Sequence, residues 1–198
     1  MEHIRCDPVI YQSDIVCLSE TWLRNDEEDE SLSLNGFKLN KNSKGAGKGL
    51  ATYFKTNVLA HETDVKQPAY QLTKLTSTTV DIISVYRSRG ANIEQLLSHL
   101  LACFDPSKTT VICGDMNVCF KADRMSKLTT TLEANGFKQY VKEATHIHGG
   151  LIDHAYVYKT SDEINVDVRL YSPYYCSKDH DAILVNIDFT TSEHNPSC

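Results

Sequence analysis

Ser19-Glu20-Thr21-Trp22, Gly114-Asp115-Met116-Asn117, Ile152-Asp153-His154 and Lys178-Asp179-His180 follow one another along the chain. Each puts an acid, an amide or an imidazole at the end of a run with strand character. Side chains at strand ends converge even when far apart in sequence. Carboxylates with one Asn and one His suit magnesium-assisted attack of water on a phosphodiester, in which the cation polarises the phosphate and stabilises the leaving oxygen. Glu20 is the expected ligand of Mg²⁺, a hard ion that takes one or two carboxylates and keeps waters. Asp115 and Asn117 lie two apart, so an extended segment would aim both to one side. His180 needs a carboxylate to fix its tautomer. Asp179 is its sequence neighbour, so the distant Asp153 is the better orienter. Thr145, before a loop, and Tyr86, at the end of Asp81-Ile82-Ile83-Ser84-Val85, are candidate phosphate contacts; an ordinary turn and a buried sheet tyrosine are equally compatible with the local sequence.

The elements that must position these residues are strand candidates at Ile15–Leu18, Leu50–Phe54, Val80–Tyr86, Thr109–Cys113, Ala155–Tyr158, Ile164–Leu170 and Ala182–Phe189, rich in β-branched residues. In Ile164–Leu170 the apolar residues alternate with polar ones, as in a half-buried antiparallel strand. Asn92-Ile93-Glu94-Gln95 resembles a capping box, and apolar residues from Ile93 to Phe104 recur at helical spacing. Asp123 is expected to cap a second helix with Met125, Leu128 and Leu132 on one face, stopped by Gly136. Strands and helices in irregular order predict a layered α/β fold on a mixed or antiparallel sheet.

Length and composition bound the reading. With 198 residues and 41% hydrophobic content, one domain over 1–189 with a polar tail over 190–198 is expected. No apolar run reaches about 18 residues, so a membrane span is not expected. The odd set of seven cysteines has no Cys-x-x-Cys spacing, which predicts reduced thiols in an intracellular protein and no zinc site. The net charge of −6 argues against tight metal-free binding of nucleic acid, although a bound cation reverses the sign locally. Asn25–Glu30 reads as a solvated acidic loop. Lys44-Gly45-Ala46-Gly47-Lys48-Gly49 has the wrong spacing for a nucleotide-triphosphate loop and reads as a basic turn able to brush a DNA backbone.

Taken in order, the motifs resemble the endonuclease/exonuclease/phosphatase superfamily, which includes DNase I and the abasic-site endonucleases. The resemblance is greatest to endonuclease domains of mobile elements such as non-LTR retrotransposons. It is carried by Asp14-Ile15-Val16-Cys17-Leu18-Ser19-Glu20-Thr21-Trp22-Leu23, Gly114-Asp115-Met116-Asn117, Thr145-His146, Leu151-Ile152-Asp153-His154 and Asp179-His180-Asp181-Ala182, and it spans nearly the whole chain. It implies a DNase I-like four-layer α/β sandwich. The cofactor would be Mg²⁺, with Mn²⁺ able to substitute, and the partner DNA, within a longer mobile-element polyprotein acting in the nucleus. It also implies site roles. Glu20 would ligate the metal with Asp179 close by. Asp115 would activate or orient water, and Asn117 would hold the scissile phosphate. Asp153 would hold His180, and Tyr86 and Thr145 would face the phosphate.

Three departures stand out. The family's first strand, with its Asn, has no counterpart: no Asn precedes Asn25, and Met1–Gln12 resembles the helix that normally follows that strand. Lys178 displaces the family's Ser before Asp179-His180. Arg87-Ser88 stand where proline is frequent. The alternatives are a non-catalytic remnant of such a domain, or a hydrolase of a non-DNA phosphoester.

Overall fold

The computed structural model describes residues 2–23, 29–42, 49–58, 60–123, 125–173 and 179–189. Most of the acidic run and of the Lys44–Gly49 turn, together with Lys178 and the tail, lie outside them. Asp29 and Glu30 open a short helix, α3 (Asp29–Leu32), where a loop was expected.

The central layer is a six-stranded sheet in the order β4 (His61–Lys66), β5 (Tyr70–Thr76), β6 (Val80–Arg87), β7 (Thr109–Asp115), β9 (Asp153–Tyr158), β8 (Lys138–Gln139). Only β6 and β7 pair in parallel, Tyr86 opposite Asp115; β7 pairs antiparallel with β9, Asp115 opposite Asp153. The parallel step follows from the intervening helix α4 (Ile93–Cys103), since parallel neighbours need a crossover. Asn92 starts α4 by accepting the backbone N–H groups of Glu94 and Gln95, satisfying donors the helix leaves open. Leu96, Leu97 and Leu100 of α4 and Leu128 and Leu132 of α5 (Lys127–Ala134) pack on Leu72, Ile83, Val85, Ile112 and Tyr156 of the sheet.

The opposite face is covered by two separate sheets. One has the order β1 (Ile15–Ser19), β3 (Leu50–Lys55), β2 (Phe37–Asn42); the other is the hairpin of β10 (Ile164–Tyr171) and β11 (Ala182–Phe189). β1 touches β6 and β7, and β11 touches β9. The covering layer is therefore divided above the middle of the central sheet. Among the described residues β1 pairs only with β3 and β11 only with β10. Thr109–Ile112 of β7 are buried, whereas Cys113 and Gly114 beyond them are half-buried. Outside the three-stranded sheet, Ile4 of α1 (Glu2–Arg5) and Ile10 of α2 (Pro8–Gln12) pack on a cluster containing Val16, Ala51 and Tyr53. Helices, sheet, sheets and helices make the four-layer α/β sandwich.

Local expectations were corrected in three places. Residues 2–12 form two short helices, α2 being capped by Asp7, instead of one. The cap of α5 is Ser126, whose hydroxyl accepts from the Thr129 N–H, not Asp123. Met125 lies before the helix and is 78% exposed, leaving Leu128 and Leu132 as the buried stripe. Gly136, at φ +84°, follows the end of α5, as expected for a left-handed helix stop.

Candidate active site

β7 ends at Asp115, and the chain turns there instead of continuing extended. Asn117 adopts φ +48°, a left-handed conformation that Asn tolerates better than most residues. Its backbone N–H donates to Asp115 Oδ1 at 2.8 Å, and its Nδ2 donates to Asp115 Oδ2 at 2.9 Å and to the Arg87 carbonyl at 2.8 Å. Asp115 and Asn117 thus converge through a tight turn, not through extended-strand alternation, and the Asn117 amide orients Asp115.

Gly114 makes the turn possible. It sits at φ +131°, and a Cβ there would lie 2.0 Å from the Val85 carbonyl oxygen. The close approach that requires glycine is to the neighbouring strand β6. Arg87 braces the turn from behind: Nη1 donates to the Met116 carbonyl at 3.0 Å, and Nη2 donates to the Ala91 carbonyl. The sequence marked Arg87 only as a departure beside the phosphate; the structure makes it a buried support.

Asp153 opens β9 beside Asp115 and accepts from His180, with Nδ1 2.8 Å from Oδ2. The pair that sequence distance favoured is thus formed. The bond to Asp153 holds the His180 imidazole above its ordinary value, against a smaller lowering by burial. Asp115 is pushed up to about 7, first by burial and then by the charge of Asp153, with Glu20 adding to it and His180 opposing. A carboxyl near neutrality is suited to accept and return a proton at ordinary pH.

Glu20 lies just beyond β1 and is exposed, with φ +51°. Its Oε1 accepts from the Tyr86 hydroxyl at 2.9 Å. Tyr86 is buried, and its phenol is pushed up to about 12 by burial and by Glu20. Tyr86 therefore orients the expected metal ligand, where the sequence suggested a phosphate contact. Thr145 is also placed differently. Its hydroxyl is fully buried and accepts the N–H groups of Ile152 and Asp153 at 3.2 and 3.1 Å, so it pins the entry to β9. Asp179 lines a shallow depression with His146, Ile147, His180 and Asp181, and its carbonyl accepts the Ile147 N–H at 2.8 Å. His146 meets the His180 ring edge-on, centroids 4.8 Å apart, a neighbour not foreseen from sequence. His154, within one of the sequence patches, belongs to the core: it is fully buried, its Nε2 lies 2.7 Å from the Val118 carbonyl oxygen, and burial lowers it to about 4.

The donors are oxygens, and Glu20 and Asp153 both disfavour ionisation of Asp115. That excess of negative charge fits a hard divalent cation. Among the described residues no group of three or more His, Cys, Asp and Glu side chains forms a ready-made ligand cage.

The sequence profile described as the Endonuclease/Exonuclease/phosphatase family matches residues 4–193. No curated protein matches the chain in sequence. Solved structures share the fold. The 3'-5' exonuclease from Neisseria meningitidis superposes with a TM-score of 0.69 at 16% identity, over 95% of this chain and 93% of that one. An AP endonuclease from Archaeoglobus fulgidus gives 0.67 at 18% identity, over 90% of each chain. The endonuclease domain of TRAS1, a telomere-specific non-LTR retrotransposon, gives 0.66 at 15% identity, over 93% and 90%. With the profile running through all the elements that carry Glu20, Asp115, Asp153 and His180, the chain belongs to the endonuclease/exonuclease/phosphatase family.

Proposed function

We propose that the chain is a divalent-metal-dependent phosphodiester hydrolase that nicks DNA for a mobile element. The carrying observation is the convergence of the His180–Asp153 pair with a near-neutral Asp115 and an oriented Glu20. Glu20 would hold Mg²⁺ or Mn²⁺ with Asp179 nearby, and the cation would polarise the phosphate and stabilise the leaving oxygen. Asp115 takes the proton from the attacking water, at a carboxylate fixed by both donors of Asn117. His180, kept in one tautomer by Asp153, presents its Nε2 to the phosphate and exchanges a proton there. Tyr86 sets the Glu20 carboxylate. Nuclear action and membership of a longer polyprotein are part of this reading; among the described residues no helix is long and apolar enough to cross a membrane.

The test is nicking of supercoiled plasmid with Mg²⁺ or Mn²⁺, next to Asp115→Ala and His180→Ala. Metal-dependent nicking that disappears in both variants is expected, and nicking that survives in both refutes the site. A panel of DNA, RNA and lipid phosphoesters with a 3'-phosphorylated oligonucleotide tests the substrate; faster turnover of any non-DNA substrate overturns it. A folded chain inactive on every substrate would be a non-catalytic remnant.

A further inference from the structure

Large apolar side chains are exposed at few described positions: Tyr11, Trp22, Met125, Ile147 and Phe189. Two flank the candidate active site from different loops. Trp22, 63% exposed, is two residues beyond Glu20 on the β1 exit. Ile147, 65% exposed, lines the depression containing His180 and Asp179. Both are held by backbone. Trp22 has φ +54°, a conformation unfavourable for a bulky residue. Its neighbour Thr21 donates its N–H to the Gly49 carbonyl at 3.4 Å. Ile147 is fixed by its N–H to the Asp179 carbonyl. Glu20, Trp22 and Asn117 are the only non-glycine residues at positive φ among those described, and all three sit at this site.

Among the described residues the charged side chains at this site are mostly acidic. Glu20, Asp115, Asp153, Asp179 and Asp181 gather here, and the guanidinium of Arg87 faces the carbonyls of Met116 and Ala91. Phosphate contacts by Lys and Arg ordinarily supply the affinity of nucleic-acid binding. Stacking of bases on an aromatic face is a second, sequence-tolerant source. On the reading of the site as a DNA hydrolase, on which this inference rests, we infer that Trp22 and Ile147 grip the nucleobases flanking the scissile phosphate, so that the site takes single-stranded or locally unstacked DNA in preference to intact duplex. In a stacked duplex those base faces are covered and the indole has nothing to contact.

Trp22 is the chain's one tryptophan, so its emission reports this contact directly. The Asp115→Asn chain in Mg²⁺ is titrated with a short oligothymidylate and with a duplex of equal length, and nicking kinetics are measured in parallel with Asp115 intact. Saturable quenching by the single strand, weaker for the duplex, is expected. Trp22→Ala should raise KM about tenfold, within the range of one lost stacking contact, with little change in kcat. Trp22→Phe should recover most of the loss, and Ile147→Ala should give a smaller rise in KM. Emission unmoved by the oligonucleotide, equal affinity for both forms, or an unchanged KM in Trp22→Ala overturns the inference while wild-type nicking leaves the hydrolase reading standing. Absence of both binding and nicking overturns the two together.

Discussion

His180 Nδ1 lies 2.8 Å from Asp153 Oδ2, across 27 positions of sequence, and the two side chains retain 27% and 12% of their exposure. The bond commits Nδ1 to the protein, so on the proposed reading Nε2 is the nitrogen that meets the substrate. Asp153→Asn keeps the size but removes the charge and allows the wrong tautomer. It should lower the nicking rate by roughly 10²–10⁴-fold and bring the His180 pKa down toward its ordinary value. Plasmid nicking and NMR titration of the ring measure the two effects. A variant with wild-type rate and an unmoved titration would remove Asp153 from the site.

Asp115 gives the fold a pH dependence of definite sign. Its carboxyl rises from an ordinary 3.8 to about 7, so folding favours the protonated form. The stability it contributes is complete below about pH 4 and is lost as pH rises through 7. His180, also raised, acts in the same direction: its contribution is present below its ordinary value and lost as pH rises past the folded one. The metal-free chain should therefore weaken between pH 5 and 8. Asp115→Asn removes the titrating group and should flatten that slope, although its amide nitrogen loses one of the two bonds accepted from Asn117. Urea denaturation in EDTA across this range is the measurement, and a wild-type slope in the variant would refute it.

Gly114→Ala should be severe, because its Cβ would meet the Val85 carbonyl oxygen at 2.0 Å in a backbone conformation alanine avoids. Relief requires parting β6 from β7. We expect a loss of more than about 3 kcal/mol, read as a lower urea midpoint, and displacement of Asp115 in whatever folded fraction remains. A loss below about 1 kcal/mol would contradict the geometry.

Asp81 provides a control at the opposite end of β6. It is fully buried, 2.6 Å from the Lys74 ammonium and 3.9 Å from that of Lys108. Asp81→Ala leaves two cations beside an apolar void and should cost about 3–5 kcal/mol. Nicking per folded molecule at low temperature should not change. Loss of activity without loss of stability would mean the two ends of the strand are coupled.

What could be read from the sequence divides along physical lines. Ile15–Leu18, Thr109–Cys113 and Ala182–Phe189 announce themselves by their enrichment in β-branched residues. β2, β4 and β5 were not anticipated: β4 is an exposed edge, and β2 and β5 place Asn42, Gln71 and Thr73 in buried positions, so their composition imitates loops. The patches carrying Asp115, Asp153 and His180 could be ordered in sequence, but not how the side chains point. The left-handed turn at Asn117, the inward Thr145 and the Tyr86–Glu20 bond depend on tertiary packing. Asp123 and Ser126 are both competent caps, and only the observed register of α5 separates them.

The division of the covering layer has a consequence for local opening. Among the described residues β10 and β11 pair only with each other, from Ile164 opposite Phe189 to Tyr171 opposite Ala182. The hairpin is held down chiefly by Val168, Leu170, Ile183 and Val185 against Val141, Leu151 and Ala155. Its strand pairing is local, a feature of segments that open below the limit of global unfolding. His180 stands two residues before β11, and its neighbours are tied back by the Ile147 N–H on the Asp179 carbonyl and the Asp181 N–H on the Thr145 carbonyl. Lifting the hairpin would have to part these bonds together with the one to Asp153, so local opening and loss of the His180–Asp153 pair would be a single event.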